Sequence, residues 1–107
     1  MANDLDFQNL STVQSNAQPL PATLAAAATI VPTTFLTFVT GTTQIANITP
    51  PVTGTHLLAI IHTDGAPGTY LTTGNILTAV VPTQNIPCFF FYDPIQAKYY
   101  GCANNLT

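Results

Sequence analysis

From Thr23 onward, apolar and β-branched positions come in short runs separated by turn formers about every ten residues. Thr, Val, Ile, Phe and Tyr dominate these runs, as half-buried pleated surface favours. The pattern predicts strands near 28–31, 34–40, 43–48, 55–63, 69–72, 76–81, 86–92 and 97–102. Between them lie Gly41-Thr42, the Pro50–Gly54 stretch, Asp64–Gly68, Thr73–Asn75 and Pro82–Asn85. Asp93-Pro94 opens the last turn, with Asp and Pro where a type I turn prefers them. The Ala25–Ala28 run is at most one helical turn. These elements predict an all-β chain: a single small β-sandwich or jelly-roll-like domain over residues 23–107, preceded by an extended N-terminal arm over residues 1–22.

Two of the predicted strands are apolar on both faces. Neither His56-Leu57-Leu58-Ala59-Ile60-Ile61-His62 nor Ile86-Pro87-Cys88-Phe89-Phe90-Phe91-Tyr92 alternates cleanly. A strand in a two-layer sandwich should have one wet face, so these two need a second cover. A neighbouring subunit supplies it in one reading, with Phe89, Phe90 and Phe91 as the subunit interface. An N-terminal segment laid over a curled core supplies it in the other.

The first 22 residues differ in composition, holding two of the four acids and ending in Pro19-Leu20-Pro21. Leu5, Phe7, Leu10 and Val13 are apolar positions there, the last three of them at spacing three. Two readings stay open: a disordered terminus, or an arm that folds onto a partner through those four anchors. No charged region followed by an apolar run marks a secretory signal. Residues 20–39 are uncharged, but Pro21, Pro32 and five threonines make them chain entering a sheet and not a membrane span. Soluble use, with no membrane partner, is the expectation.

At 107 residues the chain holds one domain. Its composition narrows the function classes. Asp4, Asp6, Asp64, Asp93 and Lys98 are the only charged residues, 5% of the chain against about 25% in ordinary soluble domains. One lysine cannot neutralise several phosphates, so nucleic acid is not an expected partner. Mean hydropathy of +0.34 argues against charge-driven disorder. Solubility falls to Thr (19), Asn (8) and Gln (6), whose neutral groups desolvate more cheaply than charges. Such a surface suits an oligomer or a component of a larger assembly.

Little chemistry is available. His56 and His62 share a strand face roughly 20 Å apart, too far to ligate one metal, and are expected as strand-end polar groups. Asp64 and Asp93 are expected to cap turns. No serine lies in a nucleophile elbow, so neither catalysis nor a cofactor is expected. If the last hairpin turns through Pro94-Ile95-Gln96, residues whose numbers sum to about 190 pair across it and Cys88 faces Cys102. That spacing would suit a disulfide, but a reducing compartment favours two facing thiols.

The run from Ala28 to Tyr100 resembles a β-module of tailed-bacteriophage virion structural proteins. Thr29, Ile30, Pro32, Thr34 and Phe35 match a TIxPTxF segment, and Gly41, Thr42, Ile45, Ile48, Pro50 and Pro51 a GTxxIxxIxPP strand. Thr72–Ile76 match a TTxGNI turn, and Tyr92, Asp93, Lys98, Tyr99 and Tyr100 a closing hairpin. The chain departs in having Tyr99 where Trp is often seen, and in its Phe89–Phe91 cluster. The resemblance covers about two-thirds of the chain. It implies a capsid decoration (cement) protein on the outer surface of a phage head, made in the host cytoplasm. The expected form is a homotrimer whose arm, through Leu5, Phe7, Leu10 and Val13, grips the major capsid protein. The alternative is a fibre or tail protein displaying the module for host-surface binding. A glycan-binding reading would use Tyr70, Tyr99 and Tyr100 as stacking platforms.

Overall fold

A computed structural model describes residues 20–103; the arm anchors Leu5, Phe7, Leu10 and Val13 lie outside them. The described chain is all-β, without a helix. Its strands are β1 (Ala22–Ala25), β2 (Thr29–Ile30), β3 (Leu36–Thr40), β4 (Asn47–Ile48), β5 (His56–His62), β6 (Cys88–Asp93) and β7 (Lys98–Ala103). They form a mixed five-stranded sheet in the order β1-β3-β5-β6-β7 and a two-stranded sheet, β2-β4.

The winding follows from the pairing. β1, β3 and β5 are parallel neighbours in one sheet, and β2 and β4 are parallel neighbours in the other. Each crossover in the large sheet therefore passes through one strand of the small sheet, so the chain coils twice before closing with the antiparallel β5-β6-β7 meander. The repeating unit is short: Ala28-Thr29-Ile30-Val31-Pro32 and Ala46-Asn47-Ile48-Thr49-Pro50 share the pattern A-x-I-x-P. They stack in register, Thr29 on Asn47 and Ile30 on Ile48. Ala28 O accepts from the amides of Ala46 (2.9 Å) and Asn47 (3.0 Å), and Ile30 O from Thr49 (2.9 Å).

Six strands, β2 to β7, fall at the expected positions, with shorter starts and with β6 and β7 running one residue further. β1 was not expected, because alanines have low strand propensity; its parallel pairing with β3 overrides that preference. The predicted strands at 69–72 and 76–81 are corrected to isolated bridges at Tyr70, Ile76 and Val80. These segments bury side chains without a continuous ladder. Residues 20–39 hold β1, β2 and nearly all of β3, so they do enter a sheet.

One core joins the two layers. Ile30, Ile45, Ile48, Tyr70, Ile76 and Val80 from the covering layer meet Val39, Leu58, Ile60, Cys88, Phe90 and Tyr99 from the large sheet. A third rung of the covering layer is made by a side chain. Asn75 Oδ1 accepts from Ile48 N (2.9 Å) and Asn75 Nδ2 donates to Ile48 O (2.7 Å), so its amide pairs with Ile48 as a strand residue would. Asn47 Oδ1 accepts from Asn75 N (3.1 Å), and Asn75 O accepts from Tyr99 N (2.8 Å), which ties this rung to β7. Gly74 is required beside it, since a Cβ there would overlap Ala46 O and Asn47 Oδ1.

Asn75→Ala would strip both partners from Ile48, and an orphaned buried backbone group costs roughly 1–3 kcal/mol. Unfolding in urea is therefore expected to show a loss of about 2–4 kcal/mol, through a lower midpoint at unchanged slope. Asn75→Asp, which keeps the acceptor and loses the donor, should fall between. A change under about 0.5 kcal/mol in the alanine variant would refute the clasp.

Candidate functional site: an uncovered sheet face

Strand alternation gives the large sheet two unlike faces. On the covered face, His56, Leu58, Ile60 and His62 of β5 lie beside Cys88, Phe90 and Tyr92 of β6 and Tyr99 of β7. A histidine stands at each end of this face, and each is held by a tyrosine. His62 Nε2 shares a hydrogen bond of 2.7 Å with the Tyr70 hydroxyl, and His56 Nε2 one of 2.8 Å with that of Tyr99. Phe90 lies between them, its ring centroid 4.7 Å from Tyr70 and 6.4 Å from Tyr99. Tyr92 stacks on His56 at 5.0 Å. Gly101 sits opposite Phe90 because a Cβ there would come within 2.9 Å of the Phe90 ring and 2.5 Å of Val80. The strand-end polar role expected for both histidines is what the structure shows.

Burial sets the electrostatics of these groups. It lowers the pKa of His62 below its usual value and raises those of Tyr70 and Tyr99. Burial, with a smaller contribution from Cys102, pushes the Cys88 thiol up to about 11. His62 Nδ1 is buried without a hydrogen-bond partner, whichever tautomer the ring adopts.

The other face of the sheet has no cover among the described residues. Its register brings apolar side chains into rows: Leu36, Ala59, Phe89 and Cys102 in one, Leu57, Phe91 and Tyr100 in the next, Phe38 and Ile61 in a third. Leu36, Leu57, Phe91 and Tyr100 are 38%, 44%, 53% and 39% exposed. A contiguous apolar sheet face open to water is what marks an interaction surface, whereas scattered exposed leucines do not.

Several expected site residues change place. Phe89 and Phe91 do stand on the open face, but Phe90 is fully buried in the chain's own core and contributes nothing to an interface. The alternation of a strand separates one phenylalanine from its two neighbours. Tyr70 and Tyr99 are corrected likewise: both are fully buried and hydrogen-bonded to histidines, so neither is a stacking platform. Tyr100 is exposed on the open face.

The hairpin register also differs by one. Cys88 pairs with Ala103 and Cys102 with Phe89, so residue numbers sum to 191 and the two cysteines lie on opposite faces. The four-residue loop Pro94–Ala97, closed by Asp93 and Lys98 and carrying Ala97 at φ 56°, sets that register. Both sulfurs are thiols, Cys88 buried and Cys102 exposed.

The charged side chains of the described residues serve the backbone. Asp64 Oδ1 accepts from Ala66 N (3.1 Å), and Asp93 Oδ1 accepts from Ile95 N (2.9 Å), as expected of turn caps. Lys98 Nζ donates to Gly74 O (3.1 Å). Among the described residues no three His, Cys, Asp or Glu side chains group as metal ligands, and no helix is long and apolar enough to cross a membrane. What this arrangement offers is a surface for apolar contact.

No family model matches the chain, and neither a curated protein nor a solved structure matches it significantly. Fold and site together define an all-β protein with one braced core and one bare sheet face.

Two measurements check the geometry. In the folded, non-reduced protein a thiol reagent should label Cys102 quickly and Cys88 only on unfolding, giving two thiols per denatured chain; protection of both until reduction would mean a disulfide. The second concerns pH. The folded-state pKa of His62 lies below the unfolded value of about 6.5, so the unfolded chain binds the proton more readily. The stability from neutral His62 is thus complete above about pH 6.5 and is lost as pH falls towards the folded-state value. The unfolding free energy should fall between pH 7 and 5 with a limiting slope of about 1.4 kcal/mol per pH unit, and the melting temperature should fall with it. His62→Gln should be less stable at pH 7 and have a flatter profile. Equal slopes in the two proteins would exclude His62 as the source.

Proposed function

We propose that this chain is a structural protein of a bacteriophage virion, a decoration (cement) protein that binds the assembled head from outside as a homotrimer. The observation that carries this reading is the uncovered apolar face. Phe91, Leu57 and Leu36 in water are unfavourable for an isolated domain and favourable once a neighbour covers them, at about 25 cal/mol per Å² removed from water. The neutral composition supports the same reading, because contacts made of hydroxyls, amides and apolar groups desolvate cheaply. With the described charged groups engaged by backbone, a role as scaffold fits better than one in catalysis, and no cofactor is invoked.

The resemblance to phage virion modules gains a physical sense. Its matching residues Thr29, Ile30, Pro32, Ile48, Pro50, Gly74 and Asn75 belong to the stacked covering layer and its clasp. Two layers wound around one core favour a sandwich or jelly-roll-like description of the domain. The partner on the particle is then the major capsid protein.

Binding to the assembled shell and not to its separated subunits must stabilise the shell by mass action. Decorated particles should therefore release their genome at a higher temperature than undecorated ones. Apolar contacts are weakly screened, so the protein should stay bound in 1 M NaCl, where the Debye length is about 3 Å. Equal release temperatures, or density for the chain on a fibre or tail by electron cryo-microscopy, would overturn the cement role; release by salt alone would contradict apolar attachment.

A further inference from the structure

The open face and the first nineteen residues pose one question between them: what covers the sheet. Resting on the oligomeric reading above, we infer that residues 5–13 of a neighbouring copy lie on the open face, with Leu5, Phe7, Leu10 and Val13 as the side chains that fill it.

The chemistry of the two surfaces agrees. Phe38, Leu57, Phe89 and Phe91 form an aromatic and aliphatic face without charge at its centre. The four arm residues are the large apolar side chains of residues 2–19, a stretch otherwise made of amides, hydroxyls, small residues and two acids. Nine residues extend for about 30 Å, and five strands span roughly 20 Å between outer axes. One arm therefore has the length to cross one sheet.

Connectivity assigns the arm to a neighbour. The chain enters the sheet at β1, its edge strand. Leu20, immediately before it, is 88% exposed and Pro21 is exposed, so the entering chain stands clear of its own body. Pro21 has a fixed φ, and Leu20, which precedes it, is held extended. The two residues ahead of β1 thus carry the chain away from the sheet edge. Residues 14–21 extend for about 26 Å, enough to reach an adjacent copy. An arm passed from each copy to the next is a head-to-tail contact, which closes as a ring when three copies satisfy the rotation. The bare face is then a site completed only by a second chain, so it supports the homotrimer part of the reading above, and attachment to a shell rests on the neutral hydroxyl- and amide-rich surface that remains.

The native thiol at Cys102, in the same row as Phe89 on the open face, gives the test. Full-length Phe7→Cys protein is oxidised mildly at micromolar concentration and run without reductant, with Phe7→Cys/Cys102→Ser as control. Covalent dimers and trimers that vanish in the control, with the introduced thiol mapped to Cys102 of another chain, are the expected result. A disulfide within one chain, or no link to Cys102, overturns the inference. Because Phe7→Cys removes an anchor, light scattering on wild-type and Leu10→Asp proteins supplies a second reading. We expect the mass to fall threefold, with Cys88 still protected from thiol reagents as the sign of a folded domain. A Leu10→Asp trimer would overturn the arm and leave the oligomer standing, whereas a wild-type monomer would sink both.

Discussion

The fold depends on how its longest strand is held at both ends. β5 carries His56 and His62 on the covered face, and each imidazole meets a tyrosine hydroxyl from outside the strand. Tyr70 belongs to the covering layer, bridged to Ile45 and Val80; Tyr99 belongs to β7, bridged to Ile76. The two hydrogen bonds therefore fix the large sheet to the layer above it and to its own edge. Phe90 links them through ring contacts with both tyrosines. Buried hydrogen bonds of this kind contribute only about 1 kcal/mol each, but leaving either partner unpaired costs more, and that asymmetry specifies the arrangement.

This spine explains why so little regular structure suffices on one side. The covering layer has two strands of two residues each and a set of isolated bridges. Segments so short are not stable as a sheet. They stay in place because each is tied by a specific group: Ala28 O to two amides, the Asn75 amide to both backbone groups of Ile48, Tyr70 to His62. Gly74 lets the backbone come close enough for the clasp to form. Side-chain amides and hydroxyls substitute here for ladder bonds, consistent with a chain so rich in Thr and Asn.

The all-β class, the turn-capping aspartates and the polar strand-end histidines were legible because each rests on local rules. The winding was not. Parallel pairing joins residues far apart in sequence, such as Leu36 and Ala59, and leaves no turn signature. A signal was nonetheless present in the A-x-I-x-P repeat at 28–32 and 46–50, whose spacing is the length of one coil. Asn75 carried no separate signal, since an amide in a Thr-Gly-Asn turn looks like any turn former. The burial of Tyr70 and Tyr99 was equally hidden, because aromatic residues read alike whether a hydroxyl meets water or a histidine. The cysteine register failed for a smaller reason. A four-residue loop ending in a left-handed Ala97 shifts the pairing by one, and a shift of one moves every side chain to the opposite face.

The bare face follows from the same winding. A chain that coils with every crossover passing through one layer places all its connections on one side of the large sheet. Nothing between Ala22 and Ala103 returns to the other side. A monomeric domain with this topology would ordinarily make that face polar, at the alternate positions of β3, β5 and β6. Here only the strand-end positions Thr40 and Asp93 are polar, and the rest hold Leu36, Phe38, Leu57, Ala59, Ile61, Phe89 and Phe91. Sequence and topology thus disagree unless a further chain segment completes the second side. That conflict, more than any single exposed residue, is what marks the open face as a surface for apolar contact.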